Sequence, residues 1–408
     1  MTSAPRPRQP WPGANVGRQD GAGHLLTDPC SGSPLAADTS HSLSDGERRW
    51  PVLDGIPYLR VGREDVVAAA LAALDEDRAP DAAAVLLADN DDWWDQPPPP
   101  PERLAALYRG VDEPGTTLRD AVAELGLGRV GDYFLHREHD PSGLAVAGLV
   151  ATHPPAGRPV IDLACGAGHL LRRLVREPGA SASLVGLDIV FAKLWLARHF
   201  VLPAGAPVQL VCADLRAPWP VGARPVGARQ EAGTWVACHD TLYFLDDPGA
   251  VLDRAAELAG PGGAVLAAHC HNVEHPRGDA GLPRTVDEWA ALLPGALTYA
   301  EEELTAAALA GRPARSSDLG ALRGTEAVAL ALDRAGAPAQ EGLLDPSPGA
   351  ALRPNPLYRD GVRQWPNPRW GAEYGERVAA YLPSREPVGL PETQAVRRRV
   401  LVELPERW

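Results

Sequence analysis

The 408-residue sequence predicts an α/β fold, a largely parallel sheet covered by helices. Three observations carry that expectation. From Arg158 onward, apolar strand-like runs alternate with helical ones, the rhythm of the strand–helix–strand units that build parallel sheets. The stretch VIDLACGAGHLL, Val160 to Leu171, passes from an apolar run through Cys-Gly-Ala-Gly into a helix-forming pattern. Such a turn hands a ligand from a strand to a helix N-terminus. Finally, Asp188 and Asp214 each close a further apolar run.

Taken in order, residues 1–20 lack the apolar core of a signal peptide and read as a disordered start. Residues 21–63 form a small β-rich block ending in WPVLDGIPYLR, where Asp54-Gly55 marks a turn between short strands. Residues 64–130 read as a helical linker region, with VVAAALAALDED and DAAAVLLADN, then PPPPP at 97–101 as an extended spacer, then ERLAALYRGV and TLRDAVAELGL. Residues 131–275 carry the strands PVIDLA, SLVGLDI, VQLVCADL, TWVACHDT and AVLAAHCH, separated by the helices GHLLRRLVRE, VFAKLWLARHFV and PGAVLDRAAELAG. Residues 276–408 read as a cap of short helices and Pro-rich loops. Trp289, Leu293, Tyr358 and Trp365 give it more apolar surface than a free tail needs, and RRVLVEL is expected to add an edge strand to the sheet.

The formal net charge is −14, and the basic residues are scattered, with RRRV at 397–400 as the tight cluster. A nucleic-acid groove needs clustered Lys and Arg, so the balance argues against a polyanionic partner. No apolar run approaches the ~20 residues of a membrane-spanning helix. The five cysteines, mostly inside strand-like runs, fit a reducing, cytoplasmic setting rather than a disulfide framework.

The spacing of the glycine turn counts against a dinucleotide. The dinucleotide fingerprint requires a third glycine, yet from Gly166 the sequence reads Gly-Ala-Gly-His-Leu-Leu171. Read from Asp162 as Asp-Leu-Ala-Cys-Gly-Ala-Gly168, it resembles the first motif of class I S-adenosylmethionine-dependent methyltransferases, with Ala164 in place of the first glycine. Further matches arrive in order: Asp188 after LVGL, Asp214 in VCADLRAPWP, the fourth-strand stretch WVACHDTLYFLDDP, and the turn Gly260-Pro-Gly-Gly263. The resemblance implies a Rossmann-like seven-stranded sheet with helices on both faces and one antiparallel strand near its C-terminal edge. It implies S-adenosylmethionine as cofactor, with Asp162, Ala164, Gly166 and Gly168 shaping the turn and Asp188 accepting the ribose hydroxyls. Asp214 would meet the adenine amino group, Leu215 would offer a backbone amide, and His239 would face the cofactor. Tyr133, His136 and Arg137 fall where the family covers the methionine end, so an arginine there could pair with the cofactor carboxylate.

The stretch LLTDPCSGSPL with RRWPVLDGIPYL resembles a zinc-ribbon-like domain that occurs alone or fused to methyltransferases and has a methyltransferase-activating member. Asp54, Gly55, Ile56 and Pro57 match, but Cys30 is the one cysteine left: Thr27 stands at another ligand position and Leu43 to Gly46 supply none. A structural zinc needs about four ligands, so no metal is expected. His24 and His41 are surface residues in this reading.

The candidate catalytic residues are His239, His269 and His271, at the ends of the fourth and fifth strands beside the crevice. A neutral imidazole there could take a proton from the acceptor. Asp240, Tyr243 and Asn272 are candidates for orienting substrate. The expected function is methylation of a small molecule on oxygen or nitrogen. An RNA or protein methyltransferase, a non-catalytic cofactor-binding protein and an NAD-dependent oxidoreductase are the alternatives.

Overall fold

The computed structural model describes residues 24–91, 94, 96–176, 183–225, 233–275, 281–340, 344–346 and 349–408. The expected disordered start, residues 1–20, lies outside them.

The centre is a seven-stranded sheet: β1 (Val160–Leu163), β2 (Leu184–Asp188), β3 (Val208–Cys212), β4 (Trp235–His239), β5 (Ala264–His271), β6 (Leu297–Ala300) and β7 (Ala327–Asp333). The spatial order is β6-β7-β5-β4-β1-β2-β3. The first five strands run parallel, and β7 lies antiparallel between β5 and β6. This is the Rossmann-like methyltransferase sheet. Its strands read as continuous apolar runs because both faces are covered. Val160, Leu184 and Trp235 join the core on one face, and Ile161, Val185 and Val236 join that on the other. The chain leaves the β3 edge and re-enters at β4, so the strand order reverses between β1 and β4 and opens a crevice above their carboxyl ends.

Five helices frame the crevice or support it: α1 (Gly128–His136), α2 (Pro141–Thr152), α3 (His169–Arg176), α4 (Glu301–Ala310) and α5 (Pro368–Tyr381). The Asp140 side chain caps α2 by accepting the Gly143 amide at 2.6 Å. Residues 141–151 of α2 are all buried, which explains the apolar sequence PSGLAVAGLVAT. Gly148 allows α4 to pack against it, since a Cβ there would lie 2.3 Å from the Leu304 carbonyl.

The N-terminal block is a four-stranded antiparallel sheet spanning residues 36–57. It continues the β3 edge, where the Leu59 amide donates to the Cys212 carbonyl at 2.7 Å. Fully buried Asp28 ties its first loop, accepting the amides of Cys30 (2.7 Å) and Ser31 (3.0 Å) and the Trp50 indole N–H (2.8 Å). Asp54 reaches the main domain, accepting from Tyr108 (3.1 Å) and Trp195 (3.2 Å) and pairing with His199 (2.8 Å). Among the described residues there is no metal-holding group of His, Cys, Asp and Glu, and no helix long and apolar enough to cross a membrane.

Two expectations about the C-terminal third are corrected. The sheet does not end at residue 275, because β6 and β7 come from the segment assigned to the cap, and Trp289 and Leu293 lie in the core beneath the sheet. The closing RRVLVEL is not an edge strand of the sheet. Leu401–Glu403 pairs antiparallel with Leu352–Pro354 in a separate two-stranded ribbon. An alternating pattern specifies a strand but not its partner. Beyond β7, a third core of Leu357, Trp370, Tyr374, Val378 and Leu382 forms, with Tyr133 of α1, Tyr358 and Trp365 against it.

Candidate active site

A cavity of about 430 Å³ opens above the carboxyl ends of β1 to β4. Its first half is built from turns that follow those strands. Ala164 and Gly166 both adopt left-handed backbone, with φ of 54° and 55°. The Gly166 amide donates to the Asp188 carboxylate at 2.9 Å, and the Val190 amide donates to its other oxygen at 2.9 Å. Two backbone donors orient Asp188, which is 2% exposed, towards the cavity. Lys193 stands 3.7 Å from Asp188 and 3.9 Å from Asp91, which also lines the wall.

Asp162 lies beneath the turn with Oδ2 buried and unpartnered. Burial, reinforced by nearby Asp188, pushes its carboxyl well above the usual range and favours the protonated form. That orphaned polar atom, with the carboxylates of Asp188 and Asp214, fits a ligand rich in hydroxyl and amino groups such as adenosine. Asp214 and Leu215 line the cavity, but Arg216 occupies the Asp214 carboxylate, its Nε 3.0 Å from both oxygens and its Nη2 2.8 Å from one. Gly168 is placed differently from the expectation. It lies off the cavity wall, and a Cβ there would come 3.0 Å from Ala197 Cβ, so this glycine serves packing of the turn against the helical segment 191–201 that follows β2.

The second half of the cavity is made by side chains from distant elements. Asp240, at φ 60°, directly follows β4 and lines the wall with His239, Phe134 and Arg137. Arg137 donates to Asp240 at 2.6 Å and to Ser142 at 2.8 Å. The expected pairing of Arg137 with a cofactor carboxylate thus competes with partners already in place. Tyr243 donates its hydroxyl to Asp240 from behind, off the cavity wall. Burial alone would raise the Asp240 carboxyl, but His269 and Arg137 outweigh it and hold the group well below the carboxylate range.

The three histidines do gather, with ring centroids 6.3 Å apart for His239 and His269 and 4.5 Å for His269 and His271. A bulge in β5, where His269 has φ 60°, brings the last two together. Their chemistry differs from a set of three bases. His269 is 2% exposed, off the cavity wall, and held between Glu301 (2.7 Å) and Asp240 (3.6 Å). Burial alone would lower its pKa, but those carboxylates raise it to about 9, so it is already protonated at neutral pH. His271 meets Tyr243 edge-to-face, with ring centroids 4.5 Å apart, away from the wall, and burial with the His269 charge lowers it to about 4. His239 alone of the three lines the cavity; burial, then Arg137, lowers it to about 3. Asn272 is not a substrate ligand: its amide donates to the carbonyls of Arg323 and Thr325, both at 2.9 Å, and its oxygen accepts the Glu274 amide.

Sequence reasoning missed Ser142, Lys193, Arg216, Glu301 and Arg369. The acidic ends of strands give a local signal, whereas Ser142, Lys193 and Glu301 matter through partners distant in sequence, and Arg216 and Arg369 carry no motif that sets them apart from other surface arginines.

Comparison with known proteins bears on the first half. Residues 160–263 match a methyltransferase domain family. The chain is 30% identical over 135 residues to the ubiquinone biosynthesis O-methyltransferase of Ralstonia nicotianae, covering 33% of this chain and 52% of that protein. It is 31% identical over 112 residues to the Escherichia coli O7:K1 protein of the same name, covering 27% and 42%. The chain therefore spans about half the length of the curated relatives it matches. Solved structures overlap loosely. A Haloferax volcanii complex of the Trm112 methyltransferase activator with a methyltransferase aligns at TM-score 0.33 and 15% identity, over 53% of this chain and 96% of that one. The Synechocystis magnesium protoporphyrin IX methyltransferase with bound S-adenosylmethionine aligns at 0.32 and 18%, over 59% and 98%. The stretch from β1 to the turn before β5 is a methyltransferase domain on a Rossmann-like fold.

Proposed function

We propose that the protein transfers the methyl group of S-adenosylmethionine to a small molecule, on oxygen or nitrogen. The observation that carries this reading is one cavity with two unlike halves, the glycine turn with Asp188 and Asp214 on one side and Arg137, His239 and Asp240 on the other. The cofactor supplies an electrophilic methyl carbon on a sulfonium. The protein's part is alignment: Asp188 and Asp214 hold the adenosine end, and Phe134 and the β4 terminus shape the space where an acceptor meets the methyl in line. A cavity of about 430 Å³ suits a compact acceptor better than a duplex or a protein segment. The names of the matched relatives favour oxygen as the acceptor atom.

Calorimetry with S-adenosylmethionine and with NAD tests the cofactor half. Labelled methyl transfer into metabolite extract, total RNA and cell protein tests the acceptor. Label in metabolites alone supports the reading, and label in RNA or protein alone overturns it. The N-terminal block we read as a metal-free relative of zinc-ribbon-like domains, with Asp28 tying the loop that a metal would otherwise hold. Stoichiometric zinc in the purified protein would refute that.

A further inference from the structure

The acceptor half of the cavity presents hydrogen-bond donors and no free base. Ser142 is fully buried, and its Oγ lies 2.8 Å from Arg137 Nη1 and 2.8 Å from His239 Nε2. A guanidinium can only donate, so Ser142 accepts from Arg137, and its own buried proton goes to His239 Nε2. His239 then carries its ring proton on Nδ1 and has no lone pair left for a substrate proton. Asp240 is equally committed: Oδ2 accepts from Arg137 at 2.6 Å, Oδ1 from the Tyr243 hydroxyl, and His269 stands 3.6 Å from Oδ1. Its negative charge is thus matched by two cations. Glu138, also on this wall, is neutralised by Arg172 and Arg173 at 3.0 and 3.2 Å. Arg369, from the first turn of α5, adds an exposed guanidinium to the wall, with no ion pair among the described residues.

Resting on the methyltransferase reading, we propose that the acceptor atom is an oxygen already anionic when it meets the methyl group: a carboxylate, or the phenolate of an acidic aryl hydroxyl. The oxyanion lone pair forms the new O–CH3 bond while the S–CH3 bond breaks. The bonding pair stays on sulfur as a neutral thioether. One negative and one positive charge cancel, and no proton has to leave. Arg369 draws the acceptor in and meets its charge, and His239, carrying its proton on Nδ1, offers a donor and no base beside it.

Nitrogen-15 NMR of histidine-labelled full-length protein with S-adenosylhomocysteine reads the tautomer directly. The His239 signal is expected to stay in the Nδ1–H form from about pH 6 to about pH 8, and Ser142→Ala to shift it towards Nε2–H. A wild-type His239 that titrates in this range, or carries its proton on Nε2, overturns the proposal. Label transferred into metabolite extract is then classified by chemistry. Methyl released by alkali identifies a carboxylate acceptor, and alkali-stable aryl ether identifies a phenolate. Label on an amine or an aliphatic hydroxyl overturns the proposal. With the acceptor so identified, Arg369→Gln is expected to raise its KM roughly tenfold while S-adenosylmethionine affinity stays within about twofold. An unchanged KM counts against the proposal. Failure of wild-type protein to bind S-adenosylmethionine would instead overturn the methyltransferase reading on which it rests.

Discussion

The two halves of the cavity differ in how they are made. The cofactor half hangs on short-range backbone bonds: the turn after β1 points an amide at Asp188, and Asp214, two residues past β3, is the next acid in line. The acceptor half hangs on side chains that meet across the whole chain. Arg137 meets Asp240, His269 meets Glu301, and Arg377 of α5 reaches Glu301 and Glu326 at 3.1 and 3.4 Å. A ligand shared by many proteins can be met with backbone and a few strand-end acids. An acceptor particular to one protein needs a wall assembled from unrelated segments.

The largest expected effect tests whether the acceptor half is a separate charged network. Removing one partner of a buried pair leaves the other uncompensated, at a cost of about 3–5 kcal/mol. Urea denaturation of Glu301→Gln should show a loss of that order, while calorimetry of the folded fraction finds S-adenosylmethionine affinity nearly unchanged. A parallel collapse of cofactor affinity would show that the halves are one unit. The same network sets a pH dependence. His269 is raised to about 9, so its contribution is complete below the ordinary histidine range near 6.5 and is lost as pH climbs through about 9. Wild-type stability should fall across that window, and His269→Asn should flatten the fall.

Next in size, Asp188→Ala should weaken S-adenosylmethionine binding roughly a hundredfold, the scale of two hydrogen bonds to a charged group, and leave the denaturation midpoint less affected than Glu301→Gln does. Equal affinity in the variant would remove Asp188 from the site. A smaller effect concerns Arg216. Its pairing with Asp214 is partly exposed, at 46% and 17%, so it is worth at most about 1 kcal/mol. Arg216→Ala should tighten S-adenosylmethionine by up to about fivefold if the guanidinium merely covers Asp214, and weaker binding would mean that Arg216 itself touches the cofactor. Smallest is Ala164→Gly. It relieves a left-handed alanine but loosens the unfolded chain, and the two terms leave a change within about 1 kcal/mol by thermal melting.

The reach of sequence reasoning follows the same division. The five parallel strands, the glycine turn and the acids Asp162, Asp188 and Asp214 were legible because each is announced by residues adjacent to it. β6 and β7 escaped notice because Leu297–Ala300 is a short strand and Ala327–Asp333 sits among loops after a segment that looked like a cap. The histidines were legible as a cluster at strand ends, but not in their roles.

Local chemistry along the chain by itself determined the alternation of strands and helices, the left-handed turn after β1 and the placing of carboxylates at the ends of β1, β2 and β3, since turn geometry and apolar periodicity act over a few residues. Only the tertiary structure decided that His269 is a buried cation, that His239 is held by Ser142, that Gly168 packs against Ala197, and that Leu401–Glu403 pairs with Leu352–Pro354 instead of the sheet. The reason is physical: protonation states and strand partners depend on which groups share a desolvated space, and that space is enclosed only when segments more than a hundred residues apart come together.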